Sequence, residues 1–133
     1  MVSGNKGEWS ELYAFFRLLA DGKLYSGDGE TNIYEDKFYP ILKIFRDDSQ
    51  DRISYCIDAD NQCVTFDSRS VLQSEFDSEA QDLLSFIKSL KGTEGNERIE
   101  AFMNKIGCYT IKAKSADKAD IRIVIHNLTK YLC

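Results

Sequence analysis

One histidine and one proline in 133 residues remove whole classes of chemistry at the outset. The histidine is His126, so a zinc site built on imidazoles and a histidine-activated nucleophile are both poorly supplied. The four cysteines, Cys56, Cys63, Cys108 and Cys133, show no Cys-x-x-Cys spacing. They read as reduced intracellular thiols rather than as metal ligands. No apolar run approaches the ~20 residues of a membrane helix, and the N-terminus lacks the apolar core of a signal peptide. A cytoplasmic protein with no membrane partner is expected. Repeats, low-complexity linkers and a Gly-rich phosphate loop are also missing from the pattern. Positive charge is not in excess either. Seventeen Lys and Arg face 22 Asp and Glu, for a net charge of −5, unlike a simple basic nucleic-acid binder.

What the chain does have is apolar and aromatic material. At 43% hydrophobic and 12% aromatic residues, residues 1–133 can bury one sizeable core. Trp9, Leu12, Tyr13, Phe16 and Leu19 recur at helical spacing, which predicts an amphipathic helix from about Lys6 to Asp21 stopped by Gly22. Lys23 to Asp36 is polar and reads as a loop or short hairpin. Phe38 to Phe45 reads as a strand whose start Pro40 pushes toward an edge or bulge. Ile53 to Ile57 alternates cleanly, and Cys63 to Phe66 supplies a return strand across the turn Asp58 to Gln62. Val71 to Phe76 fits either a strand or the lead into a helix. Ser78 and Gln81 resemble a capping box for a helix carrying Leu83, Leu84, Ile87 and Leu90. A further helix is predicted from Glu97 to Ile106, with Gly107 as its stop and Ile99, Phe102, Met103 and Ile106 facing inward. Cys108 to Lys114 reads as a strand.

Two acidic positions stand out. Asp120 opens Ile121 to Ile125, where isoleucine at every second position predicts a strand with one apolar face. A carboxylate at the mouth of such a strand needs a cation or hydrogen bonds. It could serve Mg²⁺ chemistry on phosphate, or simply end a turn. Glu8 lies roughly 80° from the centre of the first helix's apolar stripe and Glu11 roughly 140°. Glu8 is thus at the edge of the buried face, able to reach a site or merely to favour the helix dipole, and Glu11 faces water. From Lys105 onward six basic residues meet two acidic ones, so this end is locally positive on an acidic chain.

Several blocks, in order, resemble the HpaII family of type II restriction endonucleases. They are Asn5-Lys6-Gly7-Glu8-Trp9-Ser10-Glu11, Leu18 to Tyr25, Tyr39 to Ile44, and Ile111 through Asp120 to His126. The resemblance implies an α+β fold with a partial PD-(D/E)XK core. Residues 1–22 would give a core helix, 23–105 an inserted hairpin-and-helix layer, and 106–128 core strands. It implies a nuclease hydrolysing duplex DNA at a short CCGG-type site with Mg²⁺, possible as a homodimer. Asp120 matches the metal-binding aspartate, and Glu8 the helix glutamate, with Glu11 second. Lys112, Lys114, Lys118 and Arg122 are the candidate DNA contacts. An acidic-or-polar-x-Lys strand has no counterpart before the chain stops. The expectation is therefore an inactive N-terminal fragment that binds Mg²⁺ weakly. The alternative is a stand-alone acidic α/β interaction or relic domain without nuclease activity.

Overall fold

The computed structural model describes residues 2–27, 33–48, 51–111 and 121–125, and within them the side chains of 24–27, 33–39, 47–48, 51–52, 121–122 and 124–125 are left aside. Helix α1 spans Lys6–Asp21, as its periodicity predicts. Asn5 caps it. The Asn5 side chain accepts from the Glu8 backbone N–H at 2.9 Å, and Glu8 Oε1 accepts from the Asn5 N–H at 2.9 Å. This reciprocal pair satisfies two donors that a helix start otherwise leaves open. At the other end Gly22 takes φ +64° and its N–H donates to the Leu18 carbonyl, a conformation that glycine adopts without a Cβ penalty.

The buried face of α1 is Trp9, Leu12, Phe15, Phe16 and Leu19. Phe15 is fully buried and Tyr13 only partly so, so the stripe is rotated toward Phe15 relative to the expectation. The cause is that α1 packs on two sides. Phe15 meets the sheet through Tyr55, with centroids 5.1 Å apart, and Phe16 meets Phe102 at 5.4 Å.

After α1 come β2 (Lys23–Gly27) and β3 (Ile33–Asp48), paired antiparallel, so the polar stretch there is a hairpin rather than a loop. Strand β3 begins well before Pro40, which pairs with Lys23 inside the strand. Next are β4 (Asp51–Asp58), β5 (Cys63–Phe66) and β6 (Arg69–Leu72), a meander in which Cys56 pairs with Thr65 and Val64 with Val71. The last described strand is β8 (Ile121–Ile125), antiparallel to β3. The sheet runs β2-β3-β4-β5-β6, with β8 also on β3. A two-stranded pair joins β1 (Ser3–Gly4) to β7 (Glu94–Gly95), and the Trp9 indole N–H secures it by donating to the Glu94 carbonyl at 3.0 Å.

Two expectations, the capping box and the strand at Cys108, need correction. Helix α2 spans Gln73–Ser89, so Ser78 and Gln81 lie inside it and form no capping box. Leu72 occupies the cap position without a side-chain bond. Tertiary contacts take over that role: the Gln73 N–H donates to the Gln62 carbonyl, its amide donates to the Leu19 carbonyl at 3.0 Å, and Phe76 is fully buried against Phe102. Val71 to Phe76 is both strand and helix, divided after Leu72. Cys108 to Ile111 is irregular rather than a strand, and Lys112 to Lys114 lie outside the described residues. Helix α3 (Glu97–Lys105) matches its prediction, with Ile99, Phe102, Met103 and Ile106 buried and Gly107 at φ +74°. The result is an α+β fold: helices on one face of an antiparallel sheet, with the core between them.

Candidate active site

The helix-capping geometry places Glu8 in the first turn of α1, half-buried, whereas Glu11 one turn on is exposed, as their helical phases predict. Glu8 therefore has a structural duty through Asn5 and still stands at the border of the core. Gly4 brings the neighbouring backbone close. A Cβ at Gly4 would overlap Ile111 Cδ1 and stand 3.2 Å from Glu8 Oε1. Glycine thus lets β1, the start of α1 and Ile111 converge. Ile111 is the residue that precedes Lys112, the first of the candidate basic positions.

Next to Ile111 in the chain, the Thr110 carbonyl holds a further charged group. Arg46 on β3 is only 2% exposed, and it is the one charged side chain buried among the described residues. Its Nη2 donates to the Thr110 carbonyl at 2.6 Å, and its guanidinium carbon lies 5.4 Å from the centroid of the Phe15 ring. In the sheet Arg46 pairs with Ile53 of β4 on one side and with Ile121 of β8 on the other. A signal was there to find. Arg46 has the same strand parity as buried Ile44, so a charge on that face is out of place unless it is held.

Asp120, Lys112, Lys114 and Lys118 lie outside the described residues. Arg122 pairs with Phe45 within β8. The chain brings the strand that follows Asp120 onto β3 beside Arg46, and it brings Glu8 next to Ile111. Carboxylate oxygens are the donors that Mg²⁺ takes, in near-octahedral sets, so Glu8 is of the right chemical type. Among the described residues no group of three or more His, Cys, Asp or Glu side chains could hold a metal. The described donor set is a single carboxylate.

An open cleft of about 710 Å³ lies elsewhere, lined among others by Asp21, Lys23, Gln62, Leu72, Gln73 and Asp77. It sits at the C-terminal end of α1, ~20 Å along the helix from Glu8. Its two carboxylates are engaged by Arg17, which donates to Asp77 and to Asp21 at 2.5 Å each. Those pairs are partly exposed, where ion pairs contribute little. Size alone does not make this cleft the chemical centre.

The stretch that matches known proteins takes in both Glu8 and β8. The chain matches the family described as HpaII restriction endonuclease over residues 5–132. It is 41% identical over 132 residues to the Type II restriction enzyme HpaII of Haemophilus parainfluenzae, covering 95% of this chain and 37% of that enzyme. The chain therefore spans little more than a third of the length of that relative. No solved structure matches it. With the match running from the cap of the first helix past the last described strand, this chain belongs to the HpaII restriction endonuclease family.

Proposed function

We propose that the chain is the N-terminal portion of a type II restriction endonuclease of the PD-(D/E)XK type. It would act in the cytoplasm on duplex DNA at a short CCGG-type site. The observation that carries this reading is the family match over residues 5–132, which takes in both Glu8 and Asp120. In this reading Asp120 and Glu8 are metal ligands, with Glu11 a weaker second choice because it faces solvent. Mg²⁺, when bound, neutralises the phosphate oxygens of the scissile diester. The residues of the chain do the rest of the positioning. The capping hydrogen bond from the Asn5 N–H holds one Glu8 oxygen in place. The pairing of β8 with β3 anchors the strand bonded to Asp120. Lys112, Lys114, Lys118 and Arg122 supply positive charge for the DNA backbone, and a homodimer would match a palindromic site.

Two carboxylates supply part of an octahedral set, and phosphodiester hydrolysis also needs an activated water. The 133-residue chain alone is therefore proposed to bind Mg²⁺ weakly and to leave duplex DNA uncut. The test is a titration of a CCGG-containing duplex at several salt concentrations, with a cleavage assay in Mg²⁺. Weak binding whose logarithm falls with log[salt] at a slope of about −0.9 per neutralised phosphate supports the reading. Absence of DNA binding, with tight binding to a protein instead, would replace it with an interaction or relic domain. Mg²⁺-dependent cutting abolished by Asp120→Ala would keep the nuclease but overturn the proposed inactivity.

A further inference from the structure

We infer that the outward face of the sheet, around Cys56, Cys63, Thr65 and Leu72, is a docking surface for the part of an HpaII-type enzyme that lies outside the matched stretch, and that an apolar element of that part seats there. The inference rests on the proposed reading of the chain as one portion of such an enzyme, and it names the surface through which the portions join.

The pairing register separates the two faces. Ile44 pairs with Tyr55, Ile57 with Val64 and Val64 with Val71, and all of them belong to the core or pack against it. The buried residues of α1, α2 and α3 lie in that same core. Side chains alternate along a strand, so the intervening pairs point away from the helices: Phe45 with Ser54, Cys56 with Thr65, and Cys63 with Leu72. An antiparallel sheet with one face in water carries polar and charged groups there. This face is different. No charge stands among these six residues, in a chain of which 29% is charged. Phe45, Ser54, Cys56, Cys63 and Thr65 are half-buried, and Leu72 is 57% exposed. Charge flanks the patch, with Lys43 opposite Cys56 and Asp58 opposite Cys63. A neutral centre with charges at its margin is the anatomy of a protein interface.

Charge and area choose the occupant. Duplex DNA is held through cations on its phosphates. Among the described side chains this patch has Lys43 alone beside it, offset by Asp58 on the diagonal. A second copy of the chain stacked on this face is excluded by size. Four strands about 4.8 Å apart and about four residues long give a patch of roughly 20 by 14 Å, near ~300 Å². A stable dimer buries about 800 Å² on each partner. A patch this small suits one element of a larger partner whose other contacts supply the remaining area. The relative contains such a partner. The match covers 95% of this chain and only 37% of that enzyme, so the larger part of the enzyme lies outside it. The patch is also continuous with the cleft at the end of α1, because Leu72 belongs to both.

The test uses the 133-residue chain co-expressed with the portion of the Haemophilus parainfluenzae enzyme that lies outside the match. Cys56 and Cys63 are free thiols, so they report on the face directly. In the complex their alkylation by iodoacetamide, read by mass spectrometry, should slow about 10-fold or more relative to the chain alone. Buried Cys108 should stay slow in both. Leu72→Asp puts a carboxylate on the face at the cap position of α2, where aspartate is favourable. It should therefore melt no lower than wild type, yet weaken the complex about 10-fold or more. Thr65→Lys, in the centre of the patch, should weaken it likewise, and this variant decides if Leu72→Asp does not fold. A complex in which both thiols react as fast as in the free chain, or which neither variant weakens, overturns the inference and leaves the chain a portion of the enzyme. Protection by a CCGG duplex, or by raising the concentration of the chain alone, gives the face to DNA or to a second copy and overturns it too. Failure of the two portions to associate sinks it as well, and the duplex titration then judges the enzyme reading by itself.

Discussion

The Tyr55 hydroxyl on β4 donates to the Ile106 carbonyl at 2.7 Å, within a buried site where the tyrosine is 0% exposed. Ile106 closes α3, so this bond ties the end of a helix to the middle of the sheet. The Tyr55 ring also meets Phe15 and Phe66 at about 5 Å. Tyr55→Phe keeps the ring contacts and deletes the donor to Ile106. The variant should lose about 1–3 kcal/mol in urea denaturation with an unchanged m-value. No loss at all would show that water reaches the carbonyl in place of the hydroxyl.

Glu8 and Glu11 are separated by one turn and by their surroundings, which gives a paired prediction. Glu8→Ala breaks the side-chain half of the capping box and should destabilise the chain by about 0.5–2 kcal/mol. Glu11→Ala, on an exposed face, should fall within about 0.5 kcal/mol of wild type. Glu8→Gln keeps an acceptor oxygen for the Asn5 N–H. It should keep most of the stability while lowering Mn²⁺ affinity, thereby separating the capping duty from the proposed metal duty. Equal Mn²⁺ affinity in Glu8→Gln and wild type would leave Glu8 as a cap alone.

Gly22 terminates α1 at φ +64°, and an added Cβ would lie 2.9 Å from the Gln73 side-chain amide nitrogen. Gln73 is the side chain that steadies the start of α2 through the Leu19 carbonyl. Gly22→Ala should therefore cost about 1–2 kcal/mol from the left-handed backbone alone, with a further loss at α2. Thermal denaturation measures the first part, and amide hydrogen exchange in the first turn of α2 reports the second. Unchanged exchange there would mean that Gln73 simply moves aside.

Two carboxylates should bend the pH profile of stability in opposite senses. Burial raises Glu79 above its ordinary 4.5, with Arg98 partly offsetting it. The folded state therefore holds a proton more tightly than the unfolded chain. The favourable contribution of this group is present in full below 4.5 and is lost as pH rises through the raised value. Asp58 lies below its ordinary 3.8 because the Asn61 side chain and backbone N–H donate to it. Its contribution is present above 3.8 and disappears as pH falls through the lowered value. Urea midpoints against pH should lose the first slope in Glu79→Gln and show a shallower second slope in Asn61→Ala, which removes the side-chain donor and keeps the backbone N–H. If Glu79→Gln retains a stability decrease just above 4.5, another group causes it.

Much of the local structure was legible in the sequence. The first and third helices, the β4–β5 hairpin and strand β8 all follow from periodicity and from glycines at the stops, because these signals act between residues a few positions apart. The different phases of Glu8 and Glu11 were readable for the same reason: helical geometry fixes the angle between them once the helix is assigned. The start of α2 was not readable. Its cap is made by Gln62, Leu19 and Phe102, all distant in sequence, so the local Ser78–Gln81 pattern pointed to the wrong turn.

The sequence by itself determined the helices, the apolar faces and the family to which the chain belongs. Only the tertiary structure decided that β8 pairs with β3, that Phe15 and not Tyr13 faces the sheet, and that Arg46 is buried where β8 begins. The physical reason is that periodicity tells a segment which side to bury but not against whom. Isoleucine at every second position fits any apolar neighbour equally well. The choice of partner falls to contacts between residues far apart in the chain, such as Phe15 with Tyr55 and Arg46 with the Thr110 carbonyl.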